Sequence, residues 1–114
     1  MDALLNTKLV LHIPHFAWEN GQLEDIDYRR FKKRLYKNLE EAGLVSWYET
    51  SAKGFYKGRS YDEDLLTVFC EKNNKDRFIE IFKQASFQAK DIMRQEAFAY
   101  ECDGTLIVFK LEES

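Results

Sequence analysis

The sequence predicts an α+β fold, a ferredoxin-like sandwich in which one antiparallel sheet carries two helices on one face. Three observations predict it. Two stretches repeat apolar residues at three- and four-residue steps, five shorter stretches alternate or run apolar, and these fall in the order βαββαβ plus an extra C-terminal strand. Right-handed crossovers then place both helices on the same side of a single sheet.

The first strand is read over 8–16, with Leu9, Leu11 and Ile13 on one face and Val10, His12 and Pro14 on the other. Pro14 donates no ladder hydrogen bond, which puts it near the strand end or at an edge. Residues 18–22 supply a turn. Asp27 caps a helix built on Tyr28, Phe31, Leu35, Leu39 and Ala42, and Gly43 terminates it. Strands are expected over 44–50 and 65–71, forming an antiparallel pair around a long loop at 53–64. Asn73 or Asn74 opens a second helix carrying Phe78, Ile81, Phe82, Ala85, Ala89, Ile92 and Met93, ending near Arg94. The last strands, 96–102 and 105–111, flank Asp103-Gly104, a two-residue hairpin signal because both positions tolerate positive φ.

With 114 residues, 1–114 reads as a single domain large enough to bury a core without disulfide or metal. Composition agrees: 45% hydrophobic residues, nine Phe, six Tyr and two Trp exclude a disordered chain. Seventeen basic against twenty acidic residues give a net charge of -3, which disfavours generic polyanion binding. Within that acidity Arg29, Arg30, Lys32, Lys33, Arg34 and Lys37 form a basic helix surface. No apolar run approaches the roughly 20 residues of a membrane span, and the first residues lack a secretion pattern, so a cytoplasmic protein without membrane contact is expected. Cys70 and Cys102 lie isolated in apolar segments and are expected to be reduced packing residues.

The stretch K-G-F-Y-K-G-R-S-Y-D-E-D at 53–64 comes near two motifs and satisfies neither. A phosphate loop needs Gly where Lys53 stands, Lys where Arg59 stands, and a helix afterwards. An RNA-recognition octamer needs a small residue and an aromatic where Tyr56 and Lys57 stand, within the third strand. The stretch is read instead as a charge-segregated hairpin loop in which Lys53, Phe55, Tyr56, Lys57, Arg59 and Tyr61 meet a partner. His12, Trp47 and Tyr48 form an alternative pocket. Arg29, Arg30, Lys33 and Lys37 form an alternative nucleic-acid face, although Asp25, Asp27, Glu40 and Glu41 flank it and repel phosphate. His12 and His15 are expected on opposite faces, no carboxylate spacing matches a metal loop, and no cofactor is expected.

From Leu44 onward the residues Gly43-Leu44-Val45, Gly54-Phe55-Tyr56-Lys57, Leu65 to Phe69 and Gln95-Glu96-Ala97-Phe98 follow a recurring order of features. In that order the chain resembles an uncharacterised bacterial family of small ferredoxin-like proteins, a domain of unknown function, and in architecture it is also similar to the trimeric PII and CutA regulators. The resemblance implies the fold and no site.

The functional expectation is a small non-enzymatic binding or regulatory protein acting through the 53–64 loop or the open sheet face. It assembles as a homodimer or other homo-oligomer through the sheet, with a protein partner ranking ahead of nucleic acid. Two alternatives stand beside it: a small-molecule enzyme of the dimeric α+β barrel kind, and a nucleic-acid-binding or anti-nuclease accessory protein of a mobile element.

Overall fold

A computed structural model describes residues 5–44, 46–56 and 58–111. Among the described residues seven strands and three α-helices follow in order: β1 (Thr7–Pro14), β2 (Phe16–Glu19), β3 (Gln22–Asp25), α1 (Tyr28–Glu41), β4 (Trp47–Tyr56), β5 (Arg59–Cys70), α2 (Lys75–Gln88), α3 (Lys90–Met93), β6 (Ala97–Cys102) and β7 (Thr105–Lys110). Five of the strands form one sheet in the order β4-β5-β1-β6-β7, antiparallel at every pairing. The α+β class, the antiparallel sheet and the added terminal strand are as expected. The simple βαββαββ order is corrected, because β2 and β3 form a separate two-stranded sheet between β1 and α1.

Local chemistry explains the elements that the sequence places correctly. The Asp27 carboxylate accepts from the Arg30 backbone N–H at 3.3 Å, satisfying one of the donors that a helix start leaves unpaired. Asp103 and Gly104, at φ 48° and 88°, make the tight turn between β6 and β7. Strand alternation sends Leu9, Leu11 and Ile13 of β1 and Leu66 and Val68 of β5 toward the helices, where they pack with Phe31, Leu35, Leu39, Phe78 and Phe82. The second helix is shorter than predicted. It breaks at Ala89, resumes as α3 and ends where Arg94 takes a left-handed conformation at φ 48°.

The 53–64 loop is the largest correction. β4 continues to Tyr56 and β5 begins at Arg59, with an unbroken register from Trp47 opposite Val68 to Tyr56 opposite Arg59. The expected loop is therefore a pair of long paired arms. They contribute to a molecule of 54 × 26 × 26 Å. Among the described residues no helix is long and apolar enough to cross a membrane.

Candidate active site

Asp62, Glu63 and Asp64, expected in the 53–64 loop, lie inside β5, where alternation sends neighbours to opposite faces. Glu63 and Asp64 are both buried, at 9% and 4% exposure. A buried carboxyl group needs a partner, and each has a histidine.

On the open face, His12 Nδ1 lies 3.8 Å from Glu63 and His12 Nε2 donates to Glu101 at 2.7 Å. The imidazole thus sits between carboxylates from β5 and β6. Burial pushes the Glu63 carboxyl above the ordinary Glu range, and the negative charge of Glu101 adds to this while His12 opposes it.

On the helix side, His15 Nε2 faces Asp64 at 3.0 Å and its ring stacks on Tyr28 at 3.7 Å. Lys32 of α1 donates to Asp64 at 2.8 Å and to Glu49 at 3.2 Å, and the Tyr36 hydroxyl donates to Glu49. Burial alone would raise the Asp64 carboxyl, but the hydrogen bonds from Lys32 and His15 outweigh it and hold the group below the usual Asp range. This second cluster fastens α1 to β4 and β5.

Around His12 the open face forms a concavity of about 810 Å³, within the range of small-molecule sites. Its floor is the sheet, with His12, Tyr61, Glu63, Ala97, Ala99, Leu106 and Val108. Its roof is the β2–β3 hairpin, which brings Phe16, Trp18 and Leu23, and its end wall is Arg94, Gln95 and Glu96. Tyr61 reaches its place because Gly54, opposite it in the ladder, has no side chain: a Cβ there would come within 2.3 Å of the Tyr61 Cζ. Burial, followed by the Glu63 charge, pushes the Tyr61 hydroxyl up, so it remains a neutral donor. Gly54→Ala is expected to swing Tyr61 off β4 at a stability cost below about 1 kcal/mol, since an exposed arm absorbs the change. The Tyr61 ring NMR resonances then shift while the melting temperature stays nearly constant.

The residues singled out from sequence are dispersed. Of His12, Trp47 and Tyr48, only His12 lines the concavity; Trp47 packs on Tyr36 on the helix side, and Tyr48 is half exposed on β4. Of the proposed contact loop, Tyr61 enters the cavity, Arg59 lies over the Trp18 ring at 5.3 Å, and Lys53 pairs with Asp62 at 2.9 Å. Phe55 is 76% exposed, Tyr56 closes β4, and Lys57 lies outside the described residues. Arg29, Arg30, Lys33 and Lys37 are exposed on α1, and none lines the cavity.

Sequence reasoning missed Glu63, Glu101, Phe16 and Trp18. The signal for the last two was Asn20-Gly21, at φ 53° and 76°, a hairpin turn flanked by F-A-W-E and Q-L-E-D. Among the described residues no group of His, Cys, Asp and Glu is arranged to hold a metal ion. Cys70 and Cys102 are free thiols, and burial pushes the Cys70 thiol up, away from nucleophilic use.

No protein-family model and no curated protein matches the chain. Among solved structures it is similar to a phage SAM lyase in complex with S-methyl-5'-thioadenosine, with a TM-score of 0.62 and 9% identity over 91% of this chain and 88% of that one. It is also similar to a phage SAM lyase in the apo state, with a TM-score of 0.58 and 12% identity over 95% of this chain and 91% of that one. At such identities the likeness is one of fold. The expectation of a non-enzymatic binding protein is corrected by these findings together: the contact loop it required is a strand ladder, and the chain shares its fold, nearly end to end, with an enzyme.

Proposed function

We propose that this chain is an enzyme that cleaves S-adenosylmethionine or a closely related sulfonium nucleoside in the open-face cavity. The observation that carries the reading is the cavity itself, where aromatic side chains and a carboxylate-flanked histidine converge on the fold of a SAM lyase. Such a substrate has a flat purine and a positive sulfur. Phe16, Trp18 and Tyr61 offer aromatic surface for both, through stacking and cation–π attraction. Glu63 and Glu101 supply the negative field. Ala97, Ala99, Leu106 and Val108 give an apolar floor, with Leu106 and Val108 open to a ligand.

Cleavage of this kind breaks the bond between sulfur and the amino-acid side chain. The electron pair returns to sulfur, the sulfonium becomes a neutral thioether, and S-methyl-5'-thioadenosine leaves. The carbon left behind is satisfied by the substrate's own carboxylate or by loss of a neighbouring proton to Glu63 or His12. Charge disappears in this step, so apolar surface laid against the substrate by the floor favours it.

With the β2–β3 pair set aside, we read the neighbours β4-β5-β1-β6 as a ferredoxin-like sandwich extended at its edge by β7, a reading that the antiparallel pairing supports. Calorimetric titration with S-methyl-5'-thioadenosine tests the site: saturable binding at one site per chain is expected, and heats of dilution alone would count against it.

A further inference from the structure

We infer that Arg94 and Gln95 are positioning residues that fix the β2–β3 hairpin as the roof of the cavity, and so set its affinity for a purine-bearing ligand. The ligand part rests on the function proposed above; the positioning part does not.

Two four-residue strands forming their own sheet hold few ladder hydrogen bonds, and a hairpin of that size is marginal alone. Its place must therefore come from contacts with the body. Phe16 and Asp25 face each other at its open end, and both of their carbonyls are used. Gln95 Nε2 donates to the Phe16 carbonyl at 2.8 Å and to the Met93 carbonyl at 2.8 Å, while Arg94 Nη2 donates to the Asp25 carbonyl at 2.7 Å. Arg94 also pairs with Glu19, beside the hairpin turn. One guanidinium thus spans both ends of the hairpin.

Arg94 does this from a left-handed backbone at φ 48°, which a non-glycine residue adopts at some cost and keeps only where its surroundings demand it. The same two residues form the end wall of the cavity that the hairpin roofs. An exposed ion pair alone would contribute little. The carbonyl contacts of adjacent residues, one of them made by a charged donor, give the geometry its hold.

The test uses the full chain carrying Trp47→Phe, which leaves Trp18 as the one tryptophan. The double variant Arg94→Ala/Gln95→Ala is expected to shift Trp18 emission to the red and to speed amide exchange over 16–25, with exchange elsewhere unchanged. Its Kd for S-methyl-5'-thioadenosine is expected to rise about tenfold. With SAM as substrate the rise appears in KM far more than in kcat, because the roof acts on binding. Arg94→Lys keeps the charge opposite Glu19 and is expected to restore part of the affinity. Unchanged emission and exchange in the double variant would overturn the inference. If the parent chain binds no S-methyl-5'-thioadenosine while hairpin exchange still accelerates, the positioning role stands and the purine reading is overturned.

Discussion

Glu63→Gln is expected to lower turnover of SAM by about hundredfold and, at the same time, to raise thermal stability at neutral and alkaline pH. The substitution keeps the side chain's shape and removes its charge. Glu63 is the buried carboxyl of the cavity, and burial together with Glu101 holds its pKa above the ordinary Glu value. The folded state therefore keeps this proton to a higher pH than the unfolded chain does. Stability consequently falls as pH rises from the ordinary Glu range through the raised folded value. Gln has no charge to bury, so its advantage over the parent grows across that window and is complete above it. Activity has the opposite sign: if the ionised carboxylate acts on the substrate, kcat/KM rises through the same window in the parent and is flat in the variant. Melting curves and kcat/KM measured across pH check both halves. Parent-like turnover, or a variant less stable at alkaline pH, would contradict this role.

Phe82→Ala is expected to cost about 3–5 kcal/mol of folding free energy, read as a reduced denaturation midpoint. Phe82 is fully buried on α2 and meets Phe31 of α1, Phe98 and Tyr100 of β6 and Phe109 of β7, with ring centroids 6.4, 5.9, 6.4 and 5.8 Å away. Truncation removes one ring from the centre of a cluster spanning both layers, and no neighbour can fill the space without leaving its own contacts. The effect reaches the site, because β6 carries Ala97 and Ala99 on the cavity floor. Phe87→Ser on the same helix provides the comparison. Phe87 is 41% exposed, so its replacement is expected to stay within about 0.5 kcal/mol.

The legible parts of this fold are those where one face meets the core. The α1 stripe with its Asp27 cap, the inward residues of β1 and the Asp103-Gly104 turn each carry a local signal that the tertiary structure reinforces. The arms of β4 and β5 carry none. Beyond Glu49 and before Asp64 one face carries Ser51, Lys53, Ser60 and Asp62 beside Phe55, and the other Ala52, Gly54, Tyr61 and Glu63, so neither face shows the apolar row that marks a strand. Backbone pairing holds them, and pairing leaves no trace in composition. The β2–β3 hairpin was hidden by its brevity, since four residues are too few for a period to show.

The site was hidden for a different reason. His12, Glu63 and Glu101 stand on three strands far apart in sequence, and only the order β5-β1-β6 brings them together. Placing Asp62-Glu63-Asp64 in a loop concealed the two buried carboxyls, whose partners include His12 of β1 and Lys32 of α1. Of the pocket residues His12, Trp47 and Tyr48, Trp47 lies on the helix side and Tyr48 is half exposed on β4, so only His12 reaches the cavity.

The most direct test is to incubate the purified chain with SAM and follow S-methyl-5'-thioadenosine by chromatography, with Glu63→Gln in parallel. The account predicts product accumulating over many turnovers with the parent and about a hundredfold more slowly with the variant. No product above the uncatalysed rate from a folded parent chain, or equal rates for the two proteins, would contradict it.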